Sequence, residues 1–147
     1  MALRSPSYPL RRSRRCLDAG QSARRGVAAV ELAVLLPVLL LVIIGSLECS
    51  GMIFLNQSLH IAAYEGARVA IQSDATNADV IDSANSILGA RSINAPLLTL
   101  NPTDVSGILS GQTLTVTVSA PADANSLLPP WFFGGMTLVG QTTMIKE

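Results

Sequence analysis

The stretch Arg24-Arg25-Gly26-Val27-Ala28-Ala29-Val30-Glu31-Leu32-Ala33-Val34-Leu35-Leu36-Pro37-Val38-Leu39-Leu40-Leu41-Val42-Ile43-Ile44-Gly45-Ser46-Leu47 decides the architecture. Between Val27 and Leu47 it holds one ionisable side chain, Glu31. About 20 apolar residues at ~1.5 Å of helical rise match the ~30 Å hydrocarbon core of a bilayer. The stretch therefore reads as a helix that crosses a membrane, with the lipid bilayer as its first partner.

Working outward, charge orients it. Seven arginines precede the run (Arg4, Arg11, Arg12, Arg14, Arg15, Arg24, Arg25) against one acid, Asp18. After Gly26 only Arg68, Arg91 and Lys146 face nine acids, so the net charge of zero conceals a steep asymmetry. Basic flanks stay cytoplasmic, which places the N-terminus inside and the C-terminal part outside. A basic cluster beside an apolar run is a topology signal rather than a nucleic-acid surface, and no nucleic-acid partner is expected. Ser13-Arg14-Arg15 has the look of a twin-arginine signal, but Cys16-Leu17-Asp18 fits poorly and no apolar run follows directly. The mean hydropathy of +0.44 comes largely from the apolar stretch. What remains of the 147 residues suffices for one small domain.

A carboxylate within an apolar run is unfavourable and invites a functional explanation. Arg24-Arg25-Gly26 followed by Val27-Ala28-Ala29-Val30-Glu31 resembles the processing site of type IV pilins and pseudopilins. The resemblance implies that a prepilin peptidase cuts after Gly26, leaving Val27 as a new N-terminus. It also implies that Glu31 serves assembly by pairing with the terminal amine of a neighbouring subunit. Independently of the family, a freed ammonium at Val27 and the carboxylate of Glu31 stand at i and i+4, and the first helical turn favours an anion. Without such a role Glu31 would simply reach to water from just inside the interface.

Helical periodicity continues past the membrane. Pro37 frees the Ala33 carbonyl and introduces a kink. Gly45, Ser46, Ser50 and Gly51 either allow close helix approach or mark the membrane exit. Leu55, Leu59, Ala62, Ala63, Ala67, Ala70 and Ile71 then recur at three- and four-residue spacing, with Asn56, Gln57, His60, Glu65 and Arg68 largely off that stripe. The pattern predicts one helix from Val27 to about Gln72. Ile61-Ala62-Ala63-Tyr64-Glu65-Gly66-Ala67-Arg68 resembles the Ala-Ala-Arg-Glu-Gly-Ala-Arg signature of TadE-like proteins, minor pseudopilins of tight-adherence (Flp) pilus systems. Val30-Glu31, Leu36-Pro37 and Glu48 match further parts of that pattern. Tyr64 departs from it, as does Glu48-Cys49-Ser50-Gly51, where the family often has Glu-Phe-Gly-Arg. The family-motif positions are thus Pro37, Glu48, Ala62, Ala63, Glu65, Gly66, Ala67 and Arg68. Glu65 and Arg68 can bridge at i,i+3. Gly66 inside a helix points to close approach of another element, for which the C-terminal sheet is the expected one.

Beyond a break at Ser73–Asn77, a second helix is expected from about Asn77 to Leu88. Thr76 or Asn77 caps it, and Gly89 is its C-cap. Leu97–Leu100, Leu114–Val118 and Leu138–Ile145 read as strands, with a turn at Gly111-Gln112. The fold class expected is α+β: a long N-terminal transmembrane helix continuing outside the membrane, a second short helix and a small antiparallel β-sheet. Between the last strands, Asn125–Gly135 with its Pro129-Pro130-Trp131-Phe132-Phe133-Gly134-Gly135 core is a loop. Its aromatics either form a partner surface or plug the domain core. Cys49 is a small buried helix residue or an intersubunit bridge, and Cys16 lies across the membrane from it.

No triad, metal spacing or phosphate loop is present, so neither catalysis nor a cofactor nor a metal is expected. The single histidine, His60, reads as a surface residue. The domain plan is a basic cytoplasmic leader at 1–26, cleaved in the mature protein; a transmembrane helix at 27–48; a helix extension at 49–72; and an extracytoplasmic α+β domain at 73–147. The resemblance implies a minor pseudopilin at the bacterial inner membrane that helps assemble a Flp-type pilus. Its partners would be the prepilin peptidase, other pilins and pseudopilins, and the inner-membrane assembly platform. The alternative is an uncleaved signal-anchored envelope protein whose outer domain binds a ligand or an envelope partner.

Overall fold

Long runs of leucine, alanine and valine with no second proline favour a single continuous helix, and α1 runs from Arg15 to Ala70. The computed structural model describes residues 15–146, with side chains from Gly26 onward. Arg4, Arg11, Arg12 and Arg14 of the leader lie outside the described residues, as do the side chains of Cys16, Arg24 and Arg25. The helix begins before Val27, where the sequence pattern placed its start. Residues 15–25 hold three arginines and two alanines and lack proline, so no imino residue stops the helix upstream of the apolar run. α1 continues through Pro37.

The chain divides into two units, Met1–Val42 and Ile43–Glu147. In the first, every described side chain from Gly26 to Val42 is exposed. The helix is long and apolar enough to cross a membrane, with a mean hydropathy of 3.0 in its most apolar window and none of that window buried.

The second unit carries the core. Met52, Leu55, Leu59, Ala62, Ala63, Ala67 and Ala70 are buried along one face of α1, which matches the expected stripe except for Ile71, only half-buried. α2 (Asn77–Ala90) adds Val80, Ala84 and Leu88. Thr76 is its N-cap in a capping box, since its hydroxyl accepts from Asp79 N–H while the Asp79 carboxylate accepts from Thr76 N–H at 3.0 Å. Gly89 is not the C-cap, and the helix runs on to Ala90. Ser92 takes the left-handed conformation (φ 54°), its N–H donating to Gly89 O at 3.0 Å and that of Ile93 to Leu88 O at 2.9 Å. These are the paired bonds of a Schellman ending, with Ile93 packed on the core as its hydrophobic contact. The motif holds serine where glycine is usual, which is why a glycine-based reading stops early.

Three strands follow: β1 (Leu97–Asn101), β2 (Thr113–Pro121) and β3 (Thr137–Ile145). They form an antiparallel sheet in the order β1-β2-β3, with Thr117 opposite Thr99 on one side and Gln141 on the other. Alternation in β2 buries Leu114, Val116, Val118 and Ala120 and turns Thr115, Thr117 and Ser119 to the outer face. A short helix, α3 (Ala122–Asn125), leads into the aromatic loop. The fold is α+β, as the pattern predicted.

Two glycines set how near the sheet comes to α1. A Cβ on Gly66 would stand 3.4 Å from Val116 Cγ1, 3.5 Å from Val80 Cγ1 and 3.6 Å from Ala84 Cβ. The sheet therefore meets α1 at this residue, as the sequence suggested, and α2 meets it there as well. Gly140 is tighter still. A Cβ there would lie 2.4 Å from the carbonyl carbon of Leu59 and 2.5 Å from His60 N, so β3 touches the backbone of α1 itself.

Candidate functional site

Gly26 and Val27 are both exposed, and a Cβ on Gly26 would meet open space. Glu31 is exposed and makes no hydrogen bond or ion pair within the described residues. Val30, Val34 and Leu35 surround it, so its carboxylate stands alone on an apolar face.

The signature on α1 separates into two kinds of residue. Ala62, Ala63, Gly66 and Ala67 are fully buried, and their small size admits the core side chains of α2 and β2. Glu65 and Arg68 lie on the other side and pair through two hydrogen bonds, Arg68 Nε donating to Glu65 Oε2 at 3.0 Å and Nη2 to Oε1. That bond holds the Glu65 carboxyl below its usual range and the Arg68 guanidinium above its own. Tyr64 is exposed and His60 is a surface residue, as expected. Among the described residues no group of three or more His, Cys, Asp or Glu is placed to hold a metal.

Glu48 has a role that the sequence did not announce. It is buried, and its carboxylate accepts from Trp131 N–H and from Phe132 N–H, the latter at 3.1 Å to Oε2. The loop is held elsewhere too. Asp123 accepts from Gly135 N–H at 3.0 and 3.1 Å. Asn125 donates to Pro121 O at 2.8 Å and to Asn94 O at 3.0 Å, and accepts from Asn94 N–H at 2.7 Å. The rings do not plug the core: Trp131 is 73% exposed and Phe132 58%. The loop is pinned by its amides to Glu48, one turn before Met52, the first core residue of α1, so the rings stand clear of the core. Trp131 and Phe132 meet edge to face, with centroids 6.5 Å apart. Nearby, Arg91 donates to Ser58 Oγ at 3.3 Å and lies 5.8 Å from the Phe54 ring centroid. Cys49 is a free, exposed thiol rather than a buried helix residue, because it lies off the face that the sheet covers.

Residues 26–68 match the TadE-like protein family. The TadE-like segment thus begins at the glycine of the expected processing site and ends at the arginine of the Glu65–Arg68 pair. It takes in Glu31, Pro37, Glu48 and the buried alanine ridge. α2, the sheet and the aromatic loop lie beyond it. No curated protein and no solved structure matches the chain.

Proposed function

We propose that this chain is a minor pseudopilin of the TadE-like kind that helps assemble a Flp-type pilus. The family of residues 26–68 implies involvement in such a pilus. The observation that carries the finer reading is Glu31: the one ionisable side chain between Val27 and Leu47, exposed and unpartnered on an apolar helix. In this reading the chain enters the inner membrane with its basic leader inside, and a prepilin peptidase removes residues 1–26. The amine freed on one subunit then pairs with the Glu31 of another, and the assembly platform draws the subunit into place. The protein's work is packing and charge neutralisation, with no reaction of its own.

Intact mass of the membrane-extracted protein from its native host tests processing, and a chain that begins at Val27 supports it. Glu31→Gln tests assembly: the protein should still reach the membrane while pilus formation falls. Normal piliation in Glu31→Gln and Glu31→Ala strains would refute the assembly role. A second reading, an uncleaved signal-anchored protein, draws support from α1 continuing upstream of Gly26 to Arg15. Retention of Arg24 and Arg25 in the mature mass would favour it.

A further inference from the structure

We propose that the loop from Ser126 to Met136 is a membrane-interface anchor, seated in the headgroup region of the leaflet where the apolar part of α1 ends. The inference rests on the reading of α1 as a membrane-spanning helix.

Four observations carry it. The first is position. Phe132 Cε2 lies 3.8 Å from where a Cβ on Gly45 would stand, so the ring lies beside the last apolar turn of residues 43–47. The Trp131 and Phe132 amides are fixed at Glu48, one turn further along. The second is composition. Leu127 is 87% exposed, and Trp131, Phe132 and Met136 each more than half. No ionisable side chain occurs from Ala124 to Ile145. Exposed apolar groups gathered on one loop mark a contact surface, and aromatic rings, tryptophan above all, favour the membrane–water boundary.

The third is the state of the backbone at residues 129–132 and at Gly135, a part of the loop rather than its whole length. Near lipid, unpaired N–H groups are strongly disfavoured. Pro129 and Pro130 have none. Those of Trp131 and Phe132 are bonded to Glu48, and that of Gly135 to Asp123. The fourth is order before binding. Both carboxylates and the Asn94–Asn125 brace fix the loop, so insertion costs little conformational entropy. A protein partner would also accept an apolar surface, but it would not account for rings placed level with the end of the apolar run.

Trp131 is the one tryptophan in the chain, so its emission reports the loop alone. The full chain would be reconstituted in vesicles of phosphatidylcholine and phosphatidylglycerol and floated on a density gradient. Trp131 would then be quenched with lipids brominated near the headgroup or near the chain ends, and with aqueous iodide. The expected result is quenching about twofold stronger by the shallow bromine than by the deep one, with weak quenching by iodide. Strong iodide quenching with no response to either bromolipid, in a chain that floats, would overturn the anchor and leave the membrane helix intact. Shielding from both quenchers that grows with protein-to-lipid ratio would overturn it in favour of a second copy over the loop. A chain that fails to float would overturn both the anchor and the membrane reading.

Discussion

Replacing Gly140 by alanine should do far more damage than the same change at Gly66, although both glycines face α1 inside the fold. At Gly140 the new methyl would stand 2.4 Å from the Leu59 carbonyl carbon, where 3.4 Å is the near limit of ordinary contact. The deficit is 3.4 − 2.4 = 1.0 Å, and the obstacle is helix backbone, which cannot rotate aside. β3 must therefore withdraw by that amount and loosen its packing over Leu59. The cost falls at the upper end of over-packing, about 3 kcal/mol, which is roughly a 100-fold change in the opening equilibrium. At Gly66 the methyl meets Val116 at 3.4 Å and Val80 at 3.5 Å, ordinary contacts, while the helix gains about 1 kcal/mol of propensity. Gly66→Ala should stay within ~1 kcal/mol of the parent. Because α1 holds most of the helical residues, circular dichroism would hide the difference. Amide hydrogen exchange of Val116 and Val118, measured on the full chain in micelles, reads the sheet directly. Unchanged protection in Gly140→Ala, or equal loss in both variants, would refute the claim that β3 rests on helix backbone.

Glu48→Ala should free the Trp131 and Phe132 amides, speeding their exchange about 10-fold or more while β2 protection holds, since an orphaned buried N–H costs ~1–3 kcal/mol. Thr76→Ala removes the hydroxyl of the α2 capping box and should lower stability by about 1 kcal/mol, seen as a lower urea midpoint for loss of α2 protection. Acid should also loosen the α2 end. The Thr76 hydroxyl and N–H hold the Asp79 carboxyl below its usual range, and Ser106 does the same for Asp104. A depressed folded pKa gives stability that is complete above the unfolded value, about 4, and is lost as pH falls through the folded one. Protection in α2 and at 103–106, taken relative to the intrinsic exchange rate at each pH, should be level from neutrality to about pH 5 and fall below it. Within the signature, Ala63→Leu should disrupt the sheet–helix contact while Arg68→Ala leaves exchange in β2 nearly unchanged; equal effects would refute the division into packing and surface residues.

Much of this was readable because the signals were local and periodic. The apolar run, the buried stripe from Leu55 to Ala70, the three strands and the Thr76 cap each rest on residues near one another in sequence. Gly66 was legible too, since a glycine amid alanines in a helix has few other reasons to be there. Gly140 carried a comparable signal, an isolated glycine in an alternating strand, but nothing local named its partner. Glu48 was visible as a motif residue while its work was not, because the amides it holds stand more than eighty positions away. The C-terminus of α2 was misplaced because a serine adopts the conformation for which glycine is the usual sign.

Glu48 and Leu59 are 59 − 48 = 11 residues apart, close to three turns of α1, and one holds the aromatic loop while the other bears Gly140. The helix thus works as a ruler with two marks on one side. One residue inserted between them would swing Glu48 about 100° away from the loop while the sheet kept its seat. Length in this part of α1 is therefore fixed in whole turns, and the domain can vary its surface freely but not its spacing along the rod.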